Sequence, residues 1–361
     1  MKLVDNQNLI DLAYKFERAG VRLYVVGGFV RDRLLGISEE NCTDIDLCSM
    51  ATVSDLEAMA VECDMLVSVM SRQFGVAKIY YNGKVYEHAT LRSEECSKQG
   101  SHYPTKITFE TNINKDYLRR DFTASALYYD IYRERIEDFC GGVGDIESRI
   151  LRAVGDANVR IMEDAERILR AIRFKISYGF EFDDALKNAI KNHAELLYHL
   201  NDARKYREII RILLCDEING NQFDIFDECG VLNVVFPSIY DLSKNCKNDY
   251  KNVKNALKIT HIFKIPAIIA IVRNAQTDAS DEELNDINKL ESFYCKNDKK
   301  LQNYVKIFEF FTKKHLKTVE IAEIIEDNVF DADDLIYCAR ELYSAGINRK
   351  IIKKLGVLIK S

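Results

Sequence analysis

The chain carries the stretch Gly27-Gly28-Phe29-Val30-Arg31-Asp32 directly after the apolar run Leu23-Tyr24-Val25-Val26. An apolar run that ends at a glycine pair predicts a buried strand, a tight turn and then the start of a helix. Glycine lets backbone N–H groups approach a phosphate closely, and the N-terminus of a helix favours an anion. The stretch therefore predicts a phosphate-binding turn, although a glycine pair alone is also typical of an ordinary turn.

Two carboxylates follow shortly afterwards in Asp44-Ile45-Asp46. In a strand, residues two apart point to the same face, so Asp44 and Asp46 are predicted to converge. Oxygen ligands beside a phosphate site suit Mg²⁺, and paired metal ions promote in-line displacement at phosphorus. An isolated Asp-x-Asp is more often a solvated strand end or loop. Together, the two stretches predict an enzyme that transfers a nucleotide.

Composition favours a largely helical protein with more than one folded unit. The 361 residues are too many for one small core, and only three prolines and no tryptophan occur. The net charge is −6, but residues 241–361 carry 21 basic and 18 acidic residues, against 30 and 39 in the rest. This asymmetry fits an acidic metal site with a separate polyanion-binding part, or ordinary compositional drift.

Cysteine spacing and hydropathy favour a cytoplasmic location. The ten cysteines include no C-x-x-C motif, and we expect reduced thiols rather than a disulfide framework or a zinc site. The first residues do not resemble a signal peptide, and the longest apolar run, residues 265–272, is too short to span a bilayer.

The pattern changes near residue 140. Before that point, residues 77–81 and 84–87 flank Asn82-Gly83, which predicts a β-hairpin. Residues 106–110 predict another strand, and residues 124–131 a helical start that passes into a strand. After Gly141-Gly142 the pattern is helical, with residues 244–255 predicted as a polar connection between helical parts.

Adjacent arginines occur in Arg119-Arg120-Asp121-Phe122-Thr123. Guanidinium groups pair bidentately with phosphate oxygens, so the arginines are candidates to bind a triphosphate. Asp121 is a candidate to accept hydrogen bonds from ribose hydroxyls. The alternative is a charged helix start, with Asp121 as its cap and both arginines solvated.

A helical pattern begins near Glu163-Asp164-Ala165-Glu166-Arg167. Five apolar residues recur at helical spacing and predict a buried stripe: Ile161, Ala165, Ile168, Ile172 and Ile176. Asp164 and Arg167 lie three apart, off that stripe, where a surface salt bridge is the simplest interpretation. A carboxylate beside a guanidinium would also accept the amino group of cytosine or adenine and reject uracil and guanine, whose polarity is reversed.

Four motifs in this order resemble those of one family: Gly-Gly-x-Val-Arg-Asp, Asp-x-Asp, Arg-Arg-Asp-Phe-Thr and Glu-Asp-x-x-Arg. The set is similar to the class II, bacterial-type tRNA nucleotidyltransferase and poly(A) polymerase family, and most like its CCA-adding enzymes. The motifs cover about residues 20–215. Beyond them, only the helical pattern resembles the family.

The resemblance implies an α+β fold with three functional parts. A DNA polymerase β-like nucleotidyltransferase head, with a mixed sheet and helices, would span residues 1–140 and carry the catalytic, metal and triphosphate site. An all-α neck over residues 141–215 would recognise the base. A helical body and tail over residues 216–361 would bind tRNA.

The resemblance also implies residue roles. Asp44 and Asp46 would bind catalytic Mg²⁺, and Glu87 would be a third catalytic carboxylate. Triphosphate and ribose would be held by Gly27, Gly28, Arg31, Asp32, Arg119, Arg120 and Asp121. The base would be recognised by Asp164, Arg167 and Arg170.

The implied reaction is template-independent addition of C, C and A to the 3′ end of tRNA from CTP and ATP, with release of pyrophosphate. A-only addition, polyadenylation and a non-catalytic RNA-binding descendant are the alternatives. Residues 93–103 keep the length of a loop that is shortened in CC-only enzymes. Some relatives carry an added phosphohydrolase domain with a His-Asp pair. No histidine in this sequence is followed by Asp, so we expect no such domain. The tRNA 3′ end and elbow are the expected partners, with no membrane and no obligate protein partner.

Overall fold

The computed structural model describes residues 2–42, 45–96, 104–215, 220–277, 279–313 and 330–347. The chain forms two compact units. The first unit comprises Met1–Arg167 and Gly179–Ala189, and the second comprises Ile168–Tyr178 and Ile190–Ser361.

The first unit is built on a mixed sheet. Its strands are β1 (Tyr24–Val26), β2 (Asp46–Ser49), β3 (Leu66–Ser71), β4 (Val76–Tyr81), β5 (Lys84–Thr90), β6 (Arg92–Cys96), β7 (Pro104–Phe109), β8 (Leu127–Asp130), β9 (Arg135–Asp138), β10 (Ile150–Leu151) and β11 (Glu181–Phe182). Seven strands pair in the order β3-β4-β5-β2-β1-β8-β9, while β6–β7 and β10–β11 form separate pairs. Within the main sheet β2 and β5 are parallel, and the other neighbours are antiparallel.

Helices accompany these strands as amphipathic elements. They are α1 (Gln7–Arg18), α2 (Gly28–Leu34), α3 (Val53–Met59), α4 (Ile113–Asp116), α5 (Gly142–Glu147), α6 (Ala157–Glu163), α7 (Glu166–Tyr178) and α8 (Asp184–His193). The side chain of Asn6 caps α1 by accepting from the backbone N–H of Asn8 and Leu9. Helices α7 and α8 each begin in the first unit and end in the second.

The predicted strand–turn–helix and β-hairpin are confirmed. The apolar run forms β1, Gly27 forms the turn, and α2 begins at Gly28. Strands β4 and β5 pair antiparallel through Asn82-Gly83, whose φ angles of 46° and 73° are both positive, as a type I′ turn requires. Residues 104–109 form the next predicted strand, β7.

A close backbone contact follows β9. The carboxylate of Asp138 accepts from four successive backbone N–H groups, from Cys140 to Val143. This turn brings Gly142 so near the preceding segment that a Cβ there would lie 2.2 Å from the carbonyl oxygen of Thr123. Only glycine fits this position without moving the backbone.

The second unit is helical throughout the residues that the structure describes. Besides the parts of α7 and α8, it contains α9 (Asp202–Leu213), α10 (Gln222–Glu228), α11 (Leu232–Val235), α12 (Pro237–Asn245), α13 (Lys247–Ala256), α14 (His261–Ala275), α15 (Asn285–Cys295), α16 (Lys299–Thr312) and α17 (Ala332–Ser344). Helix α14 is its centre, because residues 263–272 are all buried and it packs against α13, α15 and α16. The predicted α+β fold with a helical remainder is therefore confirmed.

The prediction of a polar connection over residues 244–255 is wrong. Only Cys246 separates α12 from α13 in this stretch. The polar composition of α13 reflects its exposed faces, since Val253 and Ala256 are buried on the other side. In the described part of the chain, no helix is long and apolar enough to cross a membrane.

We expect Gly142→Ala to lower the free energy of unfolding by about 1–3 kcal/mol, because the new methyl group must displace backbone. Gly144→Ala is the matched control, since it lies in the same helix and a Cβ there meets nothing within 4 Å. Chemical denaturation of both variants measures the difference, and equal stabilities would contradict the close approach.

Candidate active site

The row of side chains at the end of β1 brings together residues that are far apart in sequence. Val26 of β1 pairs with Asp46 on one side and with Tyr128 on the other. Asp46 in turn is the register partner of Glu87 in the parallel strand β5. Register partners share a face, so Asp46, Glu87 and Tyr128 project from the same side of the sheet.

The side chains of Asp46 and Glu87 are of the type that binds a hard cation. Both provide carboxylate oxygens, the ligands that Mg²⁺ prefers. Glu87 is more than half exposed, and its Oε1 lies 3.9 Å from Nζ of Lys78. Asp44 lies outside the described residues, so its convergence with Asp46 stays a prediction. Among the residues that are described, no three His, Cys, Asp or Glu side chains form a metal-binding group.

The predicted phosphate-binding turn lies against the segment that follows the arginine pair. Gly27 has a φ of 73°, and its N–H donates to the carbonyl of Leu127 at 3.2 Å. A Cβ on Gly27 would lie 3.8 Å from Nη1 of Arg120. The turn and the arginine pair, predicted separately, are therefore adjacent.

Arg31 and Asp32 form a pair behind this turn. The Arg31 side chain is 8% exposed, and its Nε and Nη2 lie 2.8 and 2.7 Å from Oδ1 of Asp32. Both residues lie in α2, which begins at the glycine turn, and the family resemblance implies that both hold triphosphate and ribose.

The two adjacent arginines converge on one buried carboxylate, that of Asp116. Arg119 donates from Nε to Oδ1 at 2.9 Å, and Arg120 donates from Nη2 to Oδ2 at 3.1 Å. Burial alone would raise the pKa of Asp116, but the two guanidinium groups outweigh it and hold that pKa well below its usual range. The alternative of solvated arginines is wrong, since their side chains are 17% and 16% exposed.

Tyr128 completes this group. Its Oη donates to Oδ2 of Asp116 at 2.5 Å and accepts from Nε of Arg120 at 2.8 Å. The guanidinium of Arg120 lies 4.8 Å from the centre of the Tyr128 ring. Burial raises the pKa of Tyr128, so the phenol remains protonated and can donate.

The side chain of Asp121 hydrogen-bonds to the adjacent backbone. Its Oδ1 accepts from the N–H of Phe122 at 2.8 Å, and its carbonyl accepts from the N–H of Val154. Residues 123–125 then form a single 3-10 turn before β8 begins. This agrees with the helical start, passing into a strand, that the sequence predicts for residues 124–131.

Glu163 organises two further arginines. It accepts from Arg160 at 2.6 Å and from Arg167 at 3.0 Å. Arg160 also donates to the carbonyl of Leu118, and Arg167 to the carbonyl of Arg119. The predicted base-recognition arginine is therefore hydrogen-bonded to the backbone of the arginine pair.

The predicted stripe of five apolar residues is buried, but its helix is interrupted. Helix α6 ends at Glu163, and Asp164 has an extended backbone with φ of −152°. Its carboxylate accepts from the N–H of Glu166 and so starts α7. Asp164 and Arg167 are therefore joined through a helix cap instead of lying on one continuous helix.

Arg170 belongs to the second unit. There the buried carboxylate of Glu208 accepts from Arg173 at 2.7 Å and from Arg211 at 3.0 Å. Burial raises the pKa of Glu208, but Arg173, Arg170 and Arg211 together hold it below its usual range.

Sequence reasoning assigned no role to Asp116, Tyr128 or Glu163. Asp116 precedes the arginine pair by three and four residues, the spacing at which helical side chains meet. That spacing was the available signal for Asp116. No local pattern connects Tyr128 with the arginines, because a sheet register brings it there.

His88 fixes the two strands that carry the carboxylates. Its Nε2 lies 2.8 Å from Oγ of Ser49, across the β2–β5 pair, and the ring is fully buried. Nδ1 has no hydrogen-bond partner in the described ranges. Burial lowers the pKa of His88 to about 3.

Comparison with known proteins identifies the family. Residues 23–152 match the Poly A polymerase head domain, and residues 179–242 match the probable RNA and SrmB-binding site of polymerase A. The CCA-adding enzyme of Lactobacillus delbrueckii subsp. bulgaricus is 36% identical over 201 residues. The chain belongs to the tRNA nucleotidyltransferase and poly(A) polymerase family.

The relatives match different shares of the chain. The Lactobacillus match covers 55% of the chain and 48% of that enzyme, so the chain spans about half the length of the curated relative. Poly(A) polymerase I of Salmonella typhi is 25% identical over 288 residues, which is 73% of the chain and 60% of that protein. The solved Thermotoga maritima CCA-adding enzyme complexed with tRNA shares the fold, with a TM-score of 0.61, 22% identity and coverage of 98% and 79% of the two chains.

We expect the protein to lose about 2 kcal/mol of unfolding free energy between pH 7 and pH 5 through His88. The folded pKa of about 3 lies below the ordinary value of about 6.5, so the unfolded chain binds the extra proton in this window. The contribution of His88 to the free energy of unfolding is therefore fully present above about pH 6.5 and decreases as the pH falls.

Denaturation of the His88→Gln variant, in EDTA to exclude metal binding, measures this contribution. Gln can keep the contact with Ser49 and does not titrate, so its pH dependence should be shallower. The exposed His261→Gln is the matched control and should keep the wild-type slope. An unchanged slope in His88→Gln would show that another group titrates.

Proposed function

We propose that the protein is a CCA-adding tRNA nucleotidyltransferase that adds C, C and A to the 3′ end of tRNA from CTP and ATP. The observation that supports this most is the convergence of separate motifs at the end of β1. Gly27 lies beside Arg120, Arg167 bonds to the carbonyl of Arg119, and Asp46 pairs with Val26 in the adjacent strand. The similarity to CCA-adding enzymes supports the same reaction.

The proposed chemistry is in-line displacement at phosphorus. The 3′-hydroxyl oxygen of the RNA forms a bond to the α-phosphorus of CTP or ATP, and the bond from that phosphorus to the β-phosphate oxygen breaks. The hydroxyl gives its proton to water, and pyrophosphate leaves with the bonding electron pair. The contribution of the protein is positioning and charge stabilisation.

Asp44 and Asp46 are the proposed ligands of Mg²⁺, with Glu87 as a third catalytic carboxylate beside them. When bound, Mg²⁺ would supply charge neutralisation at the phosphates and a lower pKa for the attacking hydroxyl. Asp46 and Glu87 share one exposed face of the sheet, so this part of the proposed site is accessible to the RNA end.

The nucleotide would lie against the glycine turn and the arginines. We propose that its triphosphate and ribose contact Gly27, Gly28, Arg31, Asp32, Arg119, Arg120 and Asp121. The donors suit phosphate, because guanidinium groups bind phosphate oxygens with charge-assisted hydrogen bonds. Burial of the arginines strengthens these interactions relative to a solvated site.

Base selection is assigned to Asp164, Arg167 and Arg170. Arg167 would donate to the ring nitrogen of cytosine or adenine while Asp164 accepts from the amino group. The bonds of Arg167 to Glu163 and to the backbone hold its guanidinium in one orientation. A fixed orientation is what rejects uracil and guanine, whose groups would remain unpaired.

The remaining assignments follow the implied division of the chain. We propose catalysis by residues 1–140, base recognition by residues 141–215, and binding of the tRNA elbow by residues 216–361. A location in the cytoplasm, where tRNA is processed, accompanies this function.

A poly(A) polymerase or an A-adding enzyme is the second candidate. The Salmonella typhi poly(A) polymerase I matches a larger share of the chain than the Lactobacillus CCA-adding enzyme does. The two activities differ in their acceptor, because a CCA-adding enzyme requires tRNA and stops after A.

We expect the purified protein with Mg²⁺ to add two C and one A to tRNA that lacks CCA, and then to stop. Labelled CTP and ATP, separately and together, would be tested on this tRNA, on tRNA ending in CC and on an unstructured RNA. Asp46→Asn should abolish incorporation while the fold is retained, because it removes a carboxylate charge from the site.

Other products would identify other activities. Addition of A only to the CC-ended tRNA would indicate an A-adding enzyme. Long A tails on every RNA would indicate a poly(A) polymerase. No incorporation would support a non-catalytic RNA-binding role.

We expect Arg167→Ala to reduce the preference for CTP over UTP by about tenfold or more, because one base-directed hydrogen bond is lost. Arg133→Ala is the matched control, since Arg133 pairs with Glu17 and Asp130 away from the predicted site residues. Incorporation rates with each nucleotide measure the preference. Unchanged discrimination in Arg167→Ala would refute the base-recognition role.

A further inference from the structure

We propose that Asp116 is a positioning residue that fixes both arginines of the Arg119-Arg120 pair for the phosphates of the incoming nucleotide. This inference rests on the proposed function, because it assigns the triphosphate as the ligand of that pair. Asp116 itself need not touch the nucleotide, since it acts through the arginines.

The first argument is geometric. Asp116 ends helix α4, and each of its carboxylate oxygens receives one arginine. The backbone N–H of Arg92 donates to Oδ1 at 3.0 Å, and Oη of Tyr128 donates to Oδ2 at 2.5 Å. Four donors from three chain segments thus hold one carboxylate that is 1% exposed.

The second argument is the direction in which Arg120 is held. Its Nε bonds to Tyr128 and its Nη2 to Asp116, so two points fix the plane of the guanidinium. Nη1 has no acceptor among the described residues and lies beside Gly27 in the predicted phosphate-binding turn. The guanidinium therefore presents an unused donor to the place where the phosphates are proposed.

The third argument is charge. Arg119, Arg120 and Arg92 contribute three positive charges, while Asp116 and Glu94 contribute two negative charges. Glu94 is shared, because its Oε1 lies 2.7 Å from Arg92 and 3.7 Å from Arg119. The excess positive charge in a largely buried group favours an anionic ligand.

Two roles of Asp116 predict opposite results. If Asp116 only neutralised the arginines, its removal would expose more positive charge, and polyphosphate would bind more tightly. If Asp116 positions them, its removal frees two long side chains, whose ordering the ligand must then provide. Binding would consequently weaken.

The experiment measures binding of CTP, inorganic tripolyphosphate and cytidine, each with Mg²⁺, to the full chain by calorimetry. For Asp116→Asn we expect about tenfold weaker binding of CTP and tripolyphosphate, the size of one lost charge-assisted hydrogen bond. Cytidine, which has no phosphate, should bind as it does to wild type. In the incorporation assay, KM for CTP should rise while kcat stays within about twofold, since the arginines act on binding.

Two further variants make the test independent of folding defects. Tyr128→Phe leaves the charges unchanged and should weaken the binding of both CTP and tripolyphosphate by about threefold. Asp130→Asn removes another buried carboxylate, which like Asp116 is paired with an arginine and which lies on β8 with Tyr128. It controls for general loss of stability and should leave the phosphate affinities unchanged.

Unchanged or tighter binding of tripolyphosphate to both Asp116→Asn and Tyr128→Phe would overturn the positioning role. In that case wild-type incorporation of CTP would leave the proposed function standing. If the wild type bound neither CTP nor tripolyphosphate and incorporated no nucleotide, both proposals would be overturned together.

Discussion

The first unit depends on the pairing of one three-residue strand. Strand β1 is buried along its whole length and hydrogen-bonds to β2 on one side and β8 on the other. Register is strict in such a strand, because a shift of one residue would move every side chain to the opposite face. The pairing of Val26 with Asp46 and Tyr128 therefore determines which polar groups meet beside the glycine turn.

Burial of charge is an energetic cost of this arrangement. A carboxylate taken out of water is destabilising unless charged partners and hydrogen bonds compensate it, and a buried ion pair often stabilises no more than apolar packing would. Asp116 and Glu163 each compensate two arginines, and Arg167 of the Glu163 group also donates to the backbone carbonyl of Arg119. Such networks are better explained by the orientation that they give to guanidinium groups than by stability.

Local patterns predicted the elements whose structure is decided by neighbouring residues. The hairpin at Asn82-Gly83 follows from the positive φ angles that these two residues tolerate, and the buried stripe of α6 and α7 follows from apolar spacing. Local patterns failed where packing decides. Residues 247–256 are helical because two apolar side chains are buried, and Asp164 interrupts a helix because its carboxylate caps the next one.

The sequence by itself determined the order of the motifs, the glycine turn after β1, and the residue types suited to phosphate and Mg²⁺. These depend on side-chain chemistry and on spacings of a few residues. Only the tertiary structure decided that Tyr128 holds Arg120 and that Arg120 lies beside Gly27. The contact of Arg120 with Gly27 joins residues about ninety positions apart, and the register of β1 and β8 brings Tyr128 to the same place. Strand register across a sheet is a property of the packed chain, not of any local stretch.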